Sequence, residues 1–205
     1  LYREKIGALA EGETLRLKLL IHKDAHLHKA VAEIRKDDEQ EVKRIFMTEK
    51  LQIALNEQIT AELWSANLYL SMSFFLKREG FEGFSHWMRK QYQEEVKHAT
   101  AIADYMTDRN AIPKIDKIDV VPQSWKSPLE AFEDAYKHER HVTQLIDLLV
   151  KTASDEKDNA TQDFLWGFVR EQVEEEATTL HIVEKMRKAG EAGLFFMDNQ
   201  LGERN

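Results

Sequence analysis

Cysteine is absent from this sequence, proline occurs three times and glycine eight times. Each shortage excludes something. Without cysteine there are no disulfides, no thiolate zinc sites and no cysteine-ligated iron–sulfur clusters, and the expected compartment is the cytoplasm. So few prolines and glycines leave long stretches free of helix breakers. No apolar run reaches about eighteen residues, so nothing reads as a membrane span. No basic segment followed by an apolar core reads as a signal peptide. Basic charge is also short: 29 Lys and Arg face 37 Asp and Glu, for a net −8. The deficit is uneven, because residues 1–46 carry 10 basic and 9 acidic side chains while the remainder carries 19 and 28. An acidic body disfavours nucleic acid as a partner and favours cations.

What is present is ordinary globular composition, 42% hydrophobic and 32% charged, in two segments of different character. Residues 1–46 begin with a strand-like alternation of Leu15, Leu17, Leu19 and Ile21, interrupted by Leu20. From about Ala25 the period becomes helical, through Leu27, Val31, Ile34, Val42 and Ile45. The segment is small for a core of its own and is expected to be a mostly helical extension, packed on copies of itself or on the main body. Met47 stands where the new pattern begins, and the abrupt junction reads as a fusion, natural or engineered. Nothing between Asp38 and Leu55 breaks a helix, so one unbroken helix is expected over about residues 38–60. The competing signal is Thr48, three residues before Leu51, as the cap of a fresh helix.

Residues 47–205 predict an all-α domain of four long helices and a short fifth. These run roughly Thr48–Arg78, Gly83–Asn110, Ser127 to Thr152 and Asn159–Lys188, with an apolar tail Leu194–Leu201. Gly80-Phe-Glu-Gly83 and Ser154–Asp158 are tight turns, and Ser127-Pro128 supplies an N-cap and first helical residue. The link between the second and third helices is about 16 residues and spans up to roughly 50 Å. That exceeds the roughly 42 Å length of the second helix. The two middle helices can therefore lie parallel, in a four-helix bundle with one long crossover.

This topology predicts which side chains share a level. Glu62 and Glu95 are 33 residues apart, centred on the first turn, and Glu139 and Gln172 are 33 apart, centred on the second. Glu95 lies 12 residues after Gly83, and Glu139 lies 12 after Ser127. All four fall in one layer near mid-bundle. Glu95-Val-Lys-His98 adds an imidazole on the same face, and Tyr69 lies two turns beyond Glu62. Carboxylates with one imidazole suit iron, and clustered buried carboxylates are costly without cations. A lone Glu-x-x-His is a weak signal, and a glutamate run such as Glu174-Glu175-Glu176 is usually a solvated face. Solvated glutamates, however, have no reason to match the hairpin arithmetic. His138 and His141 read as surface residues, as do His22, His26 and His28. The Met and Trp residues read as core and interface.

Several segments together carry a specific resemblance. They are Leu55–Leu63, Asn67-Leu-Tyr69, Gln93–His98, Tyr136–Glu139, Glu171–Glu176 and the tail from Gly193 to Asn199. With them, residues 47–205 resemble the bacterial non-haem ferritins throughout. The resemblance implies an iron-storage ferroxidase that oxidises Fe(II) with dioxygen or peroxide at a di-iron centre. It implies a first iron on Glu62, Glu95 and His98, with Glu95 bridging to a second iron on Glu139 beside Gln172. Glu94, Glu171, Glu174 and Glu175 match a third iron site, and Tyr69 matches the tyrosine next to the pair. It further implies a homo-oligomeric shell of twenty-four subunits without haem. Haem-binding relatives carry a second Glu-x-x-His where this sequence reads Gln172-Val-Glu-Glu175, and rubrerythrins need cysteine. Residues 1–46 match nothing in that family. The rival reading is a shell used as a scaffold that displays the N-terminal segment.

Overall fold

Residues 47–203 are described by the computed structural model. They belong to the second of the two units into which the chain divides, Leu1–Phe46 and Met47–Asn205. The readings of residues 1–46 lie outside the described residues. Helix α1, Glu49–Arg78, opens on Thr48, whose backbone is extended and whose hydroxyl accepts from Leu51 N at 3.4 Å. The carbonyl of buried Met47 accepts from Gln52 Nε2 at 2.9 Å. The expected unbroken helix over residues 38–60 is therefore corrected at the junction: Met47 and Thr48 are not helical, and α1 starts at Glu49. A side-chain cap satisfies an otherwise orphan N–H, and that outweighs the weak propensity of a Glu- and Lys-rich run.

Gly80, at φ +86°, turns the chain out of α1, a conformation that glycine adopts without Cβ strain. Helix α2 is Glu82–Asp108. The crossover then runs along α1. Asn56 bonds the backbone of Ile112 and Lys114, and Ser71 Oγ donates to the Pro122 carbonyl at 2.6 Å. Asn56 to Ser71 is about 22 Å of helix, so the crossover returns the chain to the first turn and α3 runs parallel to α2. Helix α3, Pro128–Asp155, has Ser127 as N-cap and Pro at its start, and extends through the residues expected to begin the turn. Asp158 caps α4, Asn159–Gly202, by accepting from Thr161 N at 3.0 Å.

Where a separate short fifth helix was expected, α4 continues as a far arm beyond a break at Gly190 (φ 58°, ψ −174°). This arm docks on the start of α2. Leu194 and Met197 are buried, and Phe195 stacks on Phe81 at 5.3 Å. Phe81 gives α2 no side-chain cap, but Asp198 Oδ1 accepts from Phe84 N at 2.7 Å and takes that role. The approach is close enough that a Cβ on Gly83 would lie 1.8 Å from the Asp198 carbonyl oxygen.

Among the described residues α1 packs against α2 and α3, and α4 against α3 and α2. The bundle core falls into two apolar clusters. One holds Met72, Leu76, Trp87, Phe132 and Val183; the other holds Leu55, Ile59, Ile102, Ile146 and Leu165. On each helix the polar layer sits between them: Glu62, Glu95, Glu139 and Gln172 are all buried. Each fully buried Leu or Phe contributes roughly 1.5–3 kcal/mol, and this apolar mass holds the carboxyls out of water. No helix among the described residues is long and apolar enough to cross a membrane.

Candidate metal centre

Glu62 leaves α1 into the layer between the two clusters, and α2 brings Glu95 and His98 to meet it. One ligand atom from each of the three lies within 4.8 Å of the others. Gln58, one turn before Glu62, donates from Nε2 to Glu62 Oε1 at 2.7 Å. Glu62 Oε2 is fully buried and has no hydrogen-bond partner. His98 Nδ1 stands 3.4 Å from Glu95 Oε2 and Nε2 stands 3.5 Å from Glu171 Oε2, while Phe168 meets the imidazole edge-on at 5.4 Å.

The second hairpin contributes Glu139, which lies beside this triad rather than within it. Tyr69 donates its hydroxyl to Glu139 Oε1. Gln172 Nε2 donates to Glu139 Oε2 at 2.7 Å and to its carbonyl at 3.0 Å. Gln172 thus acts on Glu139 through its nitrogen. The carboxyl is fixed by two donors and faces the charges of Glu62 and His98.

These surroundings oppose ionisation. Burial first, then the Glu95 charge, push Glu62 well above the usual carboxylate range. Burial and Glu139 push Glu95 up to about 8, with further contributions from Glu175 and Glu94. Glu139 is raised by burial against the lowering effect of Tyr69 and Gln172. Tyr69 is raised well above its ordinary value by burial and by Glu139, so it remains a phenol that donates. Three carboxyls held against ionisation, one with an orphaned oxygen, fit a divalent cation whose charge would offset burial and repulsion. Hard oxygen donors with a single imidazole match iron.

The four glutamates expected at a third site are distributed differently. Glu171 and Glu174 are exposed, Glu94 and Glu175 half-buried. Glu175 accepts from Gln91 at 3.0 Å. Among the described residues they form no group of three with ligand atoms as close as those of the triad. Sequence reasoning missed two features. Gln58 had a visible signal, a polar residue one turn before Glu62 on the buried stripe. His138, expected at the surface, bonds Ser65 Oγ at 2.7 Å through Nε2. Burial, then His141, lower its pKa to about 4, so it is neutral at pH 7.

Residues 52–189 match the family described as the ferritin-like domain. A bacterial non-heme ferritin of Bacteroides fragilis (strain 638R) is 65% identical over 158 residues, covering 77% of this chain and 99% of the relative. One from Escherichia coli O157:H7 is 38% identical over 149 residues, covering 72% and 90%. The open pore ferritin of the archaeon Archaeoglobus fulgidus superposes with a TM-score of 0.76 at 48% identity, over 78% of this chain and 99% of that one. By its helices, its buried carboxylate layer and these relatives, the chain belongs to the bacterial non-haem ferritin family.

Proposed function

We propose that this chain stores iron and oxidises Fe(II) at the buried layer, using dioxygen, with peroxide as the alternative oxidant. The observation that carries the reading is the Glu62–Glu95–His98 triad with its orphaned carboxylate oxygen. Iron is the substrate here. One Fe(II) binds Glu62, Glu95 and His98; a second binds Glu139, with Glu95 shared between them. Gln172 and Tyr69 hold Glu139 in place. Two Fe(II) each give one electron to one dioxygen, which takes up two protons and leaves at the peroxide level. Hydrolysis of Fe(III) then releases protons and yields the stored oxide. Glu94, Glu171, Glu174 and Glu175 form the third iron-binding patch, on the α2–α4 side.

The family reading extends to a cytoplasmic homo-oligomeric shell of twenty-four copies without haem, with residues 1–46 as an extension outside the ferritin-like domain. Exposed Phe74, Leu148, Val173 and Phe196 support subunit contacts, because such side chains are unfavourable in water. In Glu95→Ala, stopped-flow absorbance after Fe(II) addition is expected to lose its fast phase while far-ultraviolet circular dichroism stays unchanged. A wild-type rate would overturn the assignment.

A further inference from the structure

The bundle's α1–α3 edge lies opposite its α2–α4 edge, and the two differ in chemistry. The α2–α4 edge carries Glu94, Glu171, Glu174 and Glu175. On the α1–α3 edge a pocket of roughly 350 Å³ opens beneath the crossover. Its walls include Ala61, Trp64, Val142 and Leu145. Ser65 and His138 also line it. Ser65 Oγ donates to the Ala61 carbonyl at 3.0 Å, so the imidazole N–H must be the donor in the 2.7 Å contact with Ser65. Lys117 and Asp119, on the crossover, pair with each other at 3.2 Å and are largely exposed. His141 is likewise exposed. The inner pocket therefore presents apolar surface and one satisfied polar pair.

Two residues of this pocket adjoin carboxylates of the centre in sequence. Ala61 precedes Glu62, and His138 precedes Glu139. The His138 ring lies 6.2 Å from the ring of Tyr69, which bonds Glu139. Bringing Fe(II) through such a lining would strip its hydration without offering carboxylates, which is costly. A neutral diatomic molecule meets no such barrier. The neighbouring groove along the same edge is also largely apolar, with Ile53, Leu148 and Leu149 beside Lys50 and Glu57, and it reaches Gln58, so a variant at Ile53 tests it directly.

We propose that the α1–α3 pocket is the dioxygen route to the iron-oxidising centre, with the Ser65–His138 pair as its floor, while Fe(II) arrives over the carboxylates of the opposite edge. The proposal rests on the ferroxidase reading above. Thr60 lines this pocket and not the neighbouring groove, so Thr60→Trp, which fills it, is the test, with Ile53→Trp in the neighbouring groove as control. Thr60→Trp is expected to raise the KM for dioxygen roughly fivefold while kcat at saturating dioxygen stays within about twofold. Anaerobic Co(II) binding, followed by its visible absorption, should be unchanged in both variants. An unchanged dioxygen KM in folded Thr60→Trp, or slowed Co(II) binding, would overturn the route. Failure of the unmodified protein to bind Co(II) would instead sink the ferroxidase reading. Xenon-pressurised crystals of unmodified protein provide a second measurement. Density against Val142 and Leu145 is expected, and its absence counts against the route.

Discussion

In metal-free protein at pH 7 the Glu95 carboxyl keeps its proton, because burial and Glu139 raise its pKa to about 8. An unfolded glutamate titrates near its ordinary value, so between that value and about 8 the folded state binds the extra proton. Stability of the metal-free protein therefore falls as pH rises through this window. Glu95→Gln removes the titration. It is expected to equal the parent near pH 4.5 and to exceed it at pH 8. Denaturant melts at both pH values check this, and equal stability at pH 8 would contradict it. The same protons must leave when a cation binds. Anaerobic Co(II) addition at pH 7, followed with a pH indicator, should release protons, and the release should shrink above pH 8 as Glu95 ionises unaided. Tyr69 is a phenol in the metal-free protein.

At the level of helices and turns, the docking of the α4 arm on α2 is a backbone-to-backbone contact. Gly83→Ala would place a methyl 1.8 Å from the Asp198 carbonyl, so the arm must move. Asp198→Ala removes only the hydrogen bond to Phe84 N and should cost about 1–2 kcal/mol. Urea denaturation is expected to rank the two, with Gly83→Ala the more damaging; a neutral Gly83→Ala would mean that the arm is loosely held. Neither contact was legible beforehand, because Asp198 and Phe84 are 114 residues apart and nothing local marks a cap supplied from elsewhere. The buried carboxylate layer was legible, because equal distance from a tight turn means equal height in a hairpin. That arithmetic sets Glu62, Glu95, Glu139 and Gln172 at one level, and all four are buried. It had no power over which side of a helix meets a crossover, and so it left His138 on the surface. It also had none over the junction at Met47, where Thr48 capping overrode a run of good helix formers.

For the whole molecule, the exposed aromatic residues matter most. Phe195 and Phe196 stay 64% and 71% exposed while Leu194 and Met197 beside them are buried. One face of the α4 arm is thus satisfied within the subunit and the other is offered outward. Truncation after Gly190 is expected to shift light scattering from a large assembly to smaller species, and an unchanged size would remove the arm from the assembly contacts. The division of the metal layer between the hairpins has a consequence for how the chain folds. Glu62, Glu95 and His98 all lie on the first hairpin, with 33 residues between the two carboxylates. Glu139 and Gln172 both lie on the second, and the Tyr69–Glu139 contact that links the halves spans 70 residues. Short-range closure precedes long-range closure. A chain emerging from the ribosome therefore carries every residue of the proposed triad before the third helix exists, and the second half arrives to a hairpin that already holds them in sequence.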